Sequence, residues 1–371
     1  MNITGAVLEE VGADRPFAAS RPISISELEL DEPGPGELLV QIEAAGVCHS
    51  DLSVVDGNRI RPVPMLLGHE AAGIVVRLGA GYGGAGKSRL SVGDRVVMTF
   101  LPRCGACAGC ATDGRLPCEV GTAANNAGTL VGGERRLSRD GVPINHHLGV
   151  SAFATHAVVN RTSVVRVDSD VPPDVAAVLG CAVLTGGGAV LNAGHPALGE
   201  TVMVVGLGGV GMAALLTAIA AGHPVVGVDA VPEKLERALS LGASDVFTPA
   251  ELVESGVTAS VVVEAAGNPR AFETAVLGTS AGGTTVTVGL PSPTAMASIS
   301  PLGLVAQART IVGSYLGSAV PERDIPRYVK LWRAGRLPIE ELISSRISLD
   351  GINQAMDDLA DGHAIRQIIE F

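Results

Sequence analysis

Along the first third of the chain, apolar residues come in short runs broken by glycine and proline. "ELLVQIEAAGV" alternates and then runs continuously apolar, while "EAAGIVVRLG" and "GDRVVMTF" are apolar runs between glycines. These patterns predict strands. "PGPGE" at 33–37 predicts a turn, and "GAGYGGAGKSR" at 79–89 predicts a flexible surface loop. After a cysteine-rich stretch, strand character returns in "FATHAVVNRTSVVRV".

From about residue 175 the period changes. "VAAVLGCAVLTGGGAVLNAG" is helix-like and very apolar. Strand-like and helix-like segments then alternate: "TVMVVG", "MAALLTAIAAG", "PVVGVD", "PEKLERALSLG", "DVFT", "SVVVEAAG", "PRAFETAVLGT" and "TTVTVGL". Such alternation implies a parallel, doubly wound α/β sheet. Beyond residue 318, "ERDIPRYVKLWRAGRL" and "LDGINQAMDDLADGH" predict helices, and "RQIIEF" predicts a closing strand. Residues 201–222 carry no charge and could pass for a membrane span. Their glycines fall where a turn is needed, so they read as strand, turn and helix inside a soluble domain.

A chain of 371 residues exceeds what one hydrophobic core usually supports, so two domains are expected. With 47% hydrophobic and 17% charged residues it is globular rather than disordered. The net charge of -12 argues against nucleic-acid or anionic-membrane partners, which reward clustered Lys and Arg. "MNITGAVLEEVGADRPF" is not the basic-then-apolar leader of a secreted protein. The expected compartment is the cytoplasm, where structural disulfides are rare.

That expectation bears on "RCGACAGCATDGRLPC", which places Cys104, Cys107, Cys110 and Cys118 in the spacing C-x2-C-x2-C-x7-C. The bacterial ferredoxin run needs a three-residue last gap followed by proline. Two C-x2-C steps with a fourth thiolate on a short return suit one closed, tetrahedral structural Zn2+. Gly105, Gly109 and Gly114 allow the backbone to fold tightly around it. Such a site clips a lobe and does no chemistry.

"GLGGVG" at 206–211 matches G-x-G-x-x-G between an apolar strand and an uncharged helix, and a second strand ends in Asp229. In that context Gly206 serves the tight turn, Gly208 the approach of a pyrophosphate and Gly211 close helix–strand packing. Gly209 and Val210 open the helix, whose N-terminus offers N–H donors. Asp229 would accept from ribose hydroxyls and repel a 2'-phosphate, and "AVPEK" after it holds no Arg. NAD is therefore expected over NADP. Two further cysteines, Cys48 and Cys181, and the "GHE" pair His69–Glu70 stand apart along the chain. Two thiolates and one imidazole would leave a zinc ion an open fourth position, but spacing alone does not bring them together.

"GVCHSD", "GHEAAGIV", "VGDRVV", the four-cysteine run, "GC...TG" and "GLGGVG" occur here in that order. Over essentially its whole length the chain resembles the zinc-dependent medium-chain alcohol dehydrogenases, most of all the two-zinc, liver-type and formaldehyde dehydrogenase branch. The resemblance implies an α/β fold with a GroES-like β-rich catalytic domain and an inserted doubly wound Rossmann domain. The boundaries would be 1–178, with the structural-zinc lobe, 179–318 for the Rossmann domain, and 319–371 rejoining the catalytic domain. It also implies two zinc ions and NAD per chain, an alcohol or aldehyde substrate, and a homodimer or homotetramer. Cys48, His69 and Cys181 would hold the catalytic zinc, with Glu70 able to approach it and Asp51 orienting the ligand His. Ser50 would take the alcohol proton. His49 and Arg366 would meet the pyrophosphate, Lys234 the adenosine ribose and Thr185 the nicotinamide. Phe100 would keep a pocket aromatic. Ser53 stands where liver-type members often carry a relay His, and His147 near a position that is often aromatic, which implies a more polar pocket. Thiol-dependent formaldehyde oxidation is the alternative activity, since those enzymes share every one of these motifs. Zinc-free quinone reductases lack these cysteines and the "GHE" pair.

Overall fold

The computed structural model describes residues 1–80 and 90–371, so most of the loop expected at 79–89 lies outside the described residues. The chain forms two compact units: Met1–Thr112, Pro117–Cys181 and Ile343–Phe371 make one, Asp113–Leu116 and Ala182–Leu342 the other.

In the first unit, Asn2–Leu8, Ile23–Leu30, Leu137–Arg139, Val142–His146 and Met65–Leu66 close into a barrel. A second sheet is built around Glu37–Val47, which pairs antiparallel with Ala71–Leu78, with His156–Asn160 and with the C-terminal strand Gln367–Glu370. Glu37–Val47 is the "ELLVQIEAAGV" run, and its loss of alternation has a simple cause. Both faces are covered, so nine of its eleven residues are buried. Leu38, Val40, Ile42, Ala45 and Val47 pack with Phe153, Met98 and Ile369 in one core.

The second unit holds six parallel strands, in the order Asp245–Phe247, Val225–Val228, Val202–Val205, Ala259–Glu264, Thr279–Thr287, Thr310–Gly313. The strand order reverses at Val202–Val205, and such a switch point is where doubly wound sheets bind ligands. Residues 201–222 form the strand Val202–Val205, a turn and the helix Gly209–Ala221, as their pattern predicts.

Two boundaries differ from the sequence reading. The second unit runs from 182 to 342 rather than from 179 to 318. The helix Pro321–Arg333 belongs to it because Tyr328 is fully buried there against Gly187, and Asp324 accepts from Asn192. Only Ile343–Phe371 returns to the first unit. The edge strand Thr310–Gly313 was not anticipated, because "TIVG" is too short to carry a period. The helix Pro173–Gly194 is long and apolar enough to cross a membrane, but 89% of its apolar window is buried inside the protein. Two stretches of it, Leu179–Val183 and Ala189–Gly194, are π-helical.

Candidate metal centre and dinucleotide site

Three distant segments of the first unit converge on one point. Cys48 directly follows the strand Glu37–Val47 and caps the helix His49–Val55. His69 lies in the turn before Ala71–Leu78, where Gly68 has φ +92 and any Cβ would meet Phe153 at 2.5 Å. Only glycine fits there. Cys181 sits in the π-helical stretch Leu179–Val183, and π-bulges commonly re-aim side chains at functional sites. One ligand atom from each of Cys48, His69 and Cys181 lies within 4.8 Å of the others, and all three residues are buried. The Nε2 of His69 is buried with no hydrogen-bond partner. Two soft sulfurs and one imidazole, whose nitrogen is otherwise without a partner, fit a zinc ion with a coordination position to spare.

Asp51 organises two of these ligands. Its Oδ2 accepts from the N–H of Cys48 at 3.0 Å, and its Oδ1 lies 3.0 Å from Nδ1 of His69 and accepts from Gly68 at 3.3 Å. Burial works to raise the Asp51 carboxyl, but His69 and His147 outweigh it and hold it at about 2. The carboxylate thus fixes the His69 tautomer and leaves Nε2 for the metal. Between the two thiols, their mutual hydrogen bond pushes Cys48 down and Cys181 up. Burial raises Glu70 to about 7 despite the Arg366 guanidinium, whose Nε is 3.3 Å from Oε1. Arg366 is itself buried and also donates to the Val47 carbonyl at 3.0 Å. The structure therefore places Arg366 behind Cys48 and beside Glu70. Ser50 is half-buried and His49 exposed, while Ser53 donates to the His49 carbonyl at 2.7 Å. The rings of Phe100 and His147 both meet His69 edge-on, at 5.6 and 5.4 Å.

The four clustered cysteines form a separate centre in the same unit. Their sulfurs lie within 4.8 Å of one another, with Cys104 and Cys110 3.9 Å apart and Cys107 and Cys118 also 3.9 Å apart. Backbone amides of Cys104 and Gly121 point at the Cys118 sulfur, and that of Cys110 at Cys107. The Cys110 amide is the chief cause that lowers Cys107 to about 6, while burial first raises Cys110 to about 12. At Gly109 a Cβ would strike the Pro117 carbonyl at 2.1 Å, so the tight fold read from the glycines is real. Four thiols in a tetrahedral-sized cage leave no place for a fifth ligand.

In the second unit, each glycine of "GLGGVG" shows its role. Gly206 has φ +92, and a Cβ there would meet the Ala266 amide at 2.6 Å. A Cβ on Gly211 would strike the Gly206 carbonyl at 1.7 Å. Gly208 caps the helix Gly209–Ala221 and faces open space, the room a pyrophosphate needs. Gly209 and Val210 form the first helical turn. Asp229 accepts from the amides of Leu207 at 2.7 Å and Val231 at 3.0 Å, which pins its carboxylate at the end of Val225–Val228. Gly206 and Asp229 line a cavity of about 370 Å3 together with Asn268, Arg270 and Thr274. Arg270 and Asn268 escaped the sequence reading, which searched for a cation only just after Asp229. Lys234 is half-buried on the helix Pro232–Ser240 and is not among the lining residues, and Thr185 is buried on the helix Leu184–Gly188.

A metal with one free position and a Rossmann cradle describe a class, the metal-dependent dinucleotide oxidoreductases. Comparison with known proteins narrows it. Residues 34–169 match the alcohol dehydrogenase GroES-like domain, and residues 209–333 match the zinc-binding dehydrogenase domain. The chain is 36% identical to the provisionally named alcohol dehydrogenase D of Mycobacterium tuberculosis over the full length of both. It is 35% identical to the NDMA-dependent alcohol dehydrogenase of Amycolatopsis methanolica, covering 95% of this chain and 96% of that one. Benzyl alcohol dehydrogenase of Acinetobacter calcoaceticus superposes with a TM-score of 0.89 at 31% identity, over 100% of this chain and 99% of that one. The chain belongs to the zinc-dependent medium-chain alcohol dehydrogenase family, and it is a zinc-type alcohol oxidoreductase.

Proposed function

We propose that this enzyme transfers hydride between an alcohol and NAD, with one catalytic and one structural zinc per chain. The convergence of Cys48, His69 and Cys181 within 4.8 Å carries the reading. A zinc ion held there supplies Lewis acidity toward an alcohol oxygen, and a bound nicotinamide supplies the hydride acceptor. The chain's own residues do the rest. Asp51 orients His69, Phe100 and His147 wall the ligand imidazole, and Ser50, two positions after Cys48, receives the hydroxyl proton. With Ser53 tied to the His49 carbonyl, no side-chain base follows Ser50 at that position, so the proton passes on toward solvent or His49. Glu70, held near neutrality, is the carboxylate placed to approach the metal.

The pinned carboxylate of Asp229 supports NAD over NADP, because it would face a 2'-phosphate; Arg270 in the same cavity acts in the opposite sense. Six free cysteines suit a cytoplasmic protein. The exposed side chains Met296, Leu302 and Val305, in the segment just before the edge strand Thr310–Gly313, suit a homo-oligomer made by a second copy of the chain. A net charge of -12 suits neither nucleic acid nor anionic membrane.

The test is a screen of primary, secondary and aromatic alcohols with NAD+ and NADP+ as separate oxidants. Arms with NDMA as acceptor, and with formaldehyde with and without low-molecular-weight thiols, accompany it. The proposal expects alcohol-dependent NADH formation with kcat/KM favouring NAD+. Oxidation of formaldehyde only when a thiol is present would favour the alternative, and no turnover with any arm would refute both.

A further inference from the structure

One carboxylate of the second unit is buried without a positive partner. Glu264 ends the strand Ala259–Glu264 and is 2% exposed, and among the described residues no cation pairs with it. Taking a carboxylate out of water is costly unless hydrogen bonds replace the lost solvation. Here they arrive from two sides. Oε1 accepts from the backbone amides of Ala266 at 2.9 Å and Gly267 at 2.6 Å, and Oε2 accepts from the Thr287 hydroxyl at 2.7 Å. Gly289 makes the room, since a Cβ there would meet Oε1 at 2.8 Å and the Gly267 amide nitrogen at 2.4 Å.

The turn held in this way forms part of the dinucleotide cavity. Ala266 and Asn268 line that cavity, and the Ala266 amide nitrogen is the atom a Cβ on Gly206 would strike. Asn268 then caps the helix Pro269–Leu277, its Oδ1 accepting from the Ala271 amide at 2.9 Å. That helix carries Arg270 and Thr274 into the same lining. Bracing the sheet does not require the two amide bonds. The strand already pairs with both neighbours, and the Glu264 carbonyl accepts from the Val288 amide at 2.9 Å. The carboxylate is directed at the turn.

We propose that Glu264 is a positioning residue for the dinucleotide. Its side chain holds the turn at 265–268 in the conformation that receives the cofactor, and does so without touching the cofactor itself. This rests on the dinucleotide reading above and deepens it. Apparent affinity falls with the fraction of molecules whose turn is in the binding conformation. Two bonds to a charged acceptor change that fraction by about tenfold or more.

The experiment titrates NADH, with NADPH in parallel, into wild type, Glu264→Leu, Glu264→Asp and Glu264→Gln, following the fluorescence of the bound nicotinamide. Zinc content and the urea midpoint of each protein are measured alongside. Glu264→Leu should weaken binding of the preferred dinucleotide by about fivefold or more at unchanged zinc content. Glu264→Gln, which keeps an acceptor oxygen for both amides, should stay within about threefold of wild type. A role confined to bracing the sheet would lower the urea midpoint and leave the Kd of the folded protein unmoved. A loss of less than about fivefold in Glu264→Leu, or a Glu264→Gln as weak as Glu264→Leu, overturns the proposal. If Glu264→Leu does not fold, Glu264→Asp decides. It keeps the charge but withdraws it by one methylene, so a Kd within about twofold of wild type overturns the proposal. A wild type that binds neither dinucleotide would instead refute the dinucleotide reading itself.

Discussion

The two cysteine centres of the first unit solve opposite problems. The lobe at 104–118 gathers four thiols from one short stretch, partly exposed, with amides directed at its sulfurs. The other centre takes Cys48, His69 and Cys181 from a strand end, a turn and a π-helical stretch, and buries all three. The first is saturated by its own ligands. The second offers only three ligands, with Asp51, Phe100 and His147 gathered around His69 and the buried Glu70–Arg366 pair nearby. A metal site becomes reactive when the fold supplies one ligand too few and a surrounding shell that holds the rest still.

Removing Cys48 is the harshest way to break that contrast. Cys48→Ser should abolish alcohol oxidation while circular dichroism and the unfolding midpoint stay close to wild type, because serine is close to cysteine in size, is itself a good helix N-cap and keeps the backbone N–H that donates to Asp51. Cys107→Ser should do the reverse, lowering the unfolding midpoint while the folded fraction still turns over. If both variants lost stability equally and activity equally, the two centres would not be functionally distinct.

The next effect is on proton handling. Ser50→Ala should cost roughly 10^2 to 10^4 in kcat, the usual worth of a positioned proton acceptor, and Ser50→Thr should keep most of the activity. Wild-type turnover in Ser50→Ala, with a deuterium isotope effect showing hydride transfer to be rate-limiting, would remove Ser50 from the route. Asp51→Asn comes third. It keeps the shape but loses the charge that fixes His69, so zinc affinity in competition with a chelator should fall about 10- to 100-fold. No change in affinity would mean that the backbone alone positions His69.

How much of this was legible in the sequence follows the same divide. The four-cysteine lobe could be read outright because its ligands are neighbours in sequence and its glycines mark the turns. The dinucleotide site was legible because Gly206, Gly208 and Gly211 answer local backbone demands, each now visible as a positive φ, an open approach or a forbidden Cβ. The convergence of Cys48, His69 and Cys181 could not be derived from spacing, since tertiary topology brings them together; it was reached through family resemblance. Arg270 was missed because a lining residue need only be near in space. The link from His147 to Asp51 was missed for the same reason, as 96 positions separate them. The helix Pro321–Arg333 was assigned to the wrong unit because nothing in its amphipathic pattern says what Tyr328 packs against.

The smallest effect concerns a buried imidazole with no metal to serve. His146 accepts from the Arg136 amide at 3.1 Å, and its other nitrogen is buried without a partner. Burial, with Arg135 and Arg136 adding to it, pushes its pKa down to about 3. An unfolded histidine takes up a proton below about pH 6.5, so the unfolded state binds more protons and stability is lost as pH falls from 6.5 toward 3. At pH 5 this loss should amount to about 2 kcal/mol. His146→Gln should weaken the difference between urea unfolding at pH 7.5 and pH 5 by about that amount, and an unchanged difference would show that His146 takes up its proton in the native state.

The central claim is that the chain holds two zinc ions in two independent centres, of which only the dispersed one is catalytic. Elemental analysis of fully loaded wild type, Cys48→Ser and Cys107→Ser, paired with alcohol turnover, tests it most directly. The account predicts about two zinc ions in the wild type and about one in each variant, with turnover surviving in Cys107→Ser and absent in Cys48→Ser. One zinc in the wild type, or alcohol turnover in a Cys48→Ser protein that has lost a zinc, would contradict it.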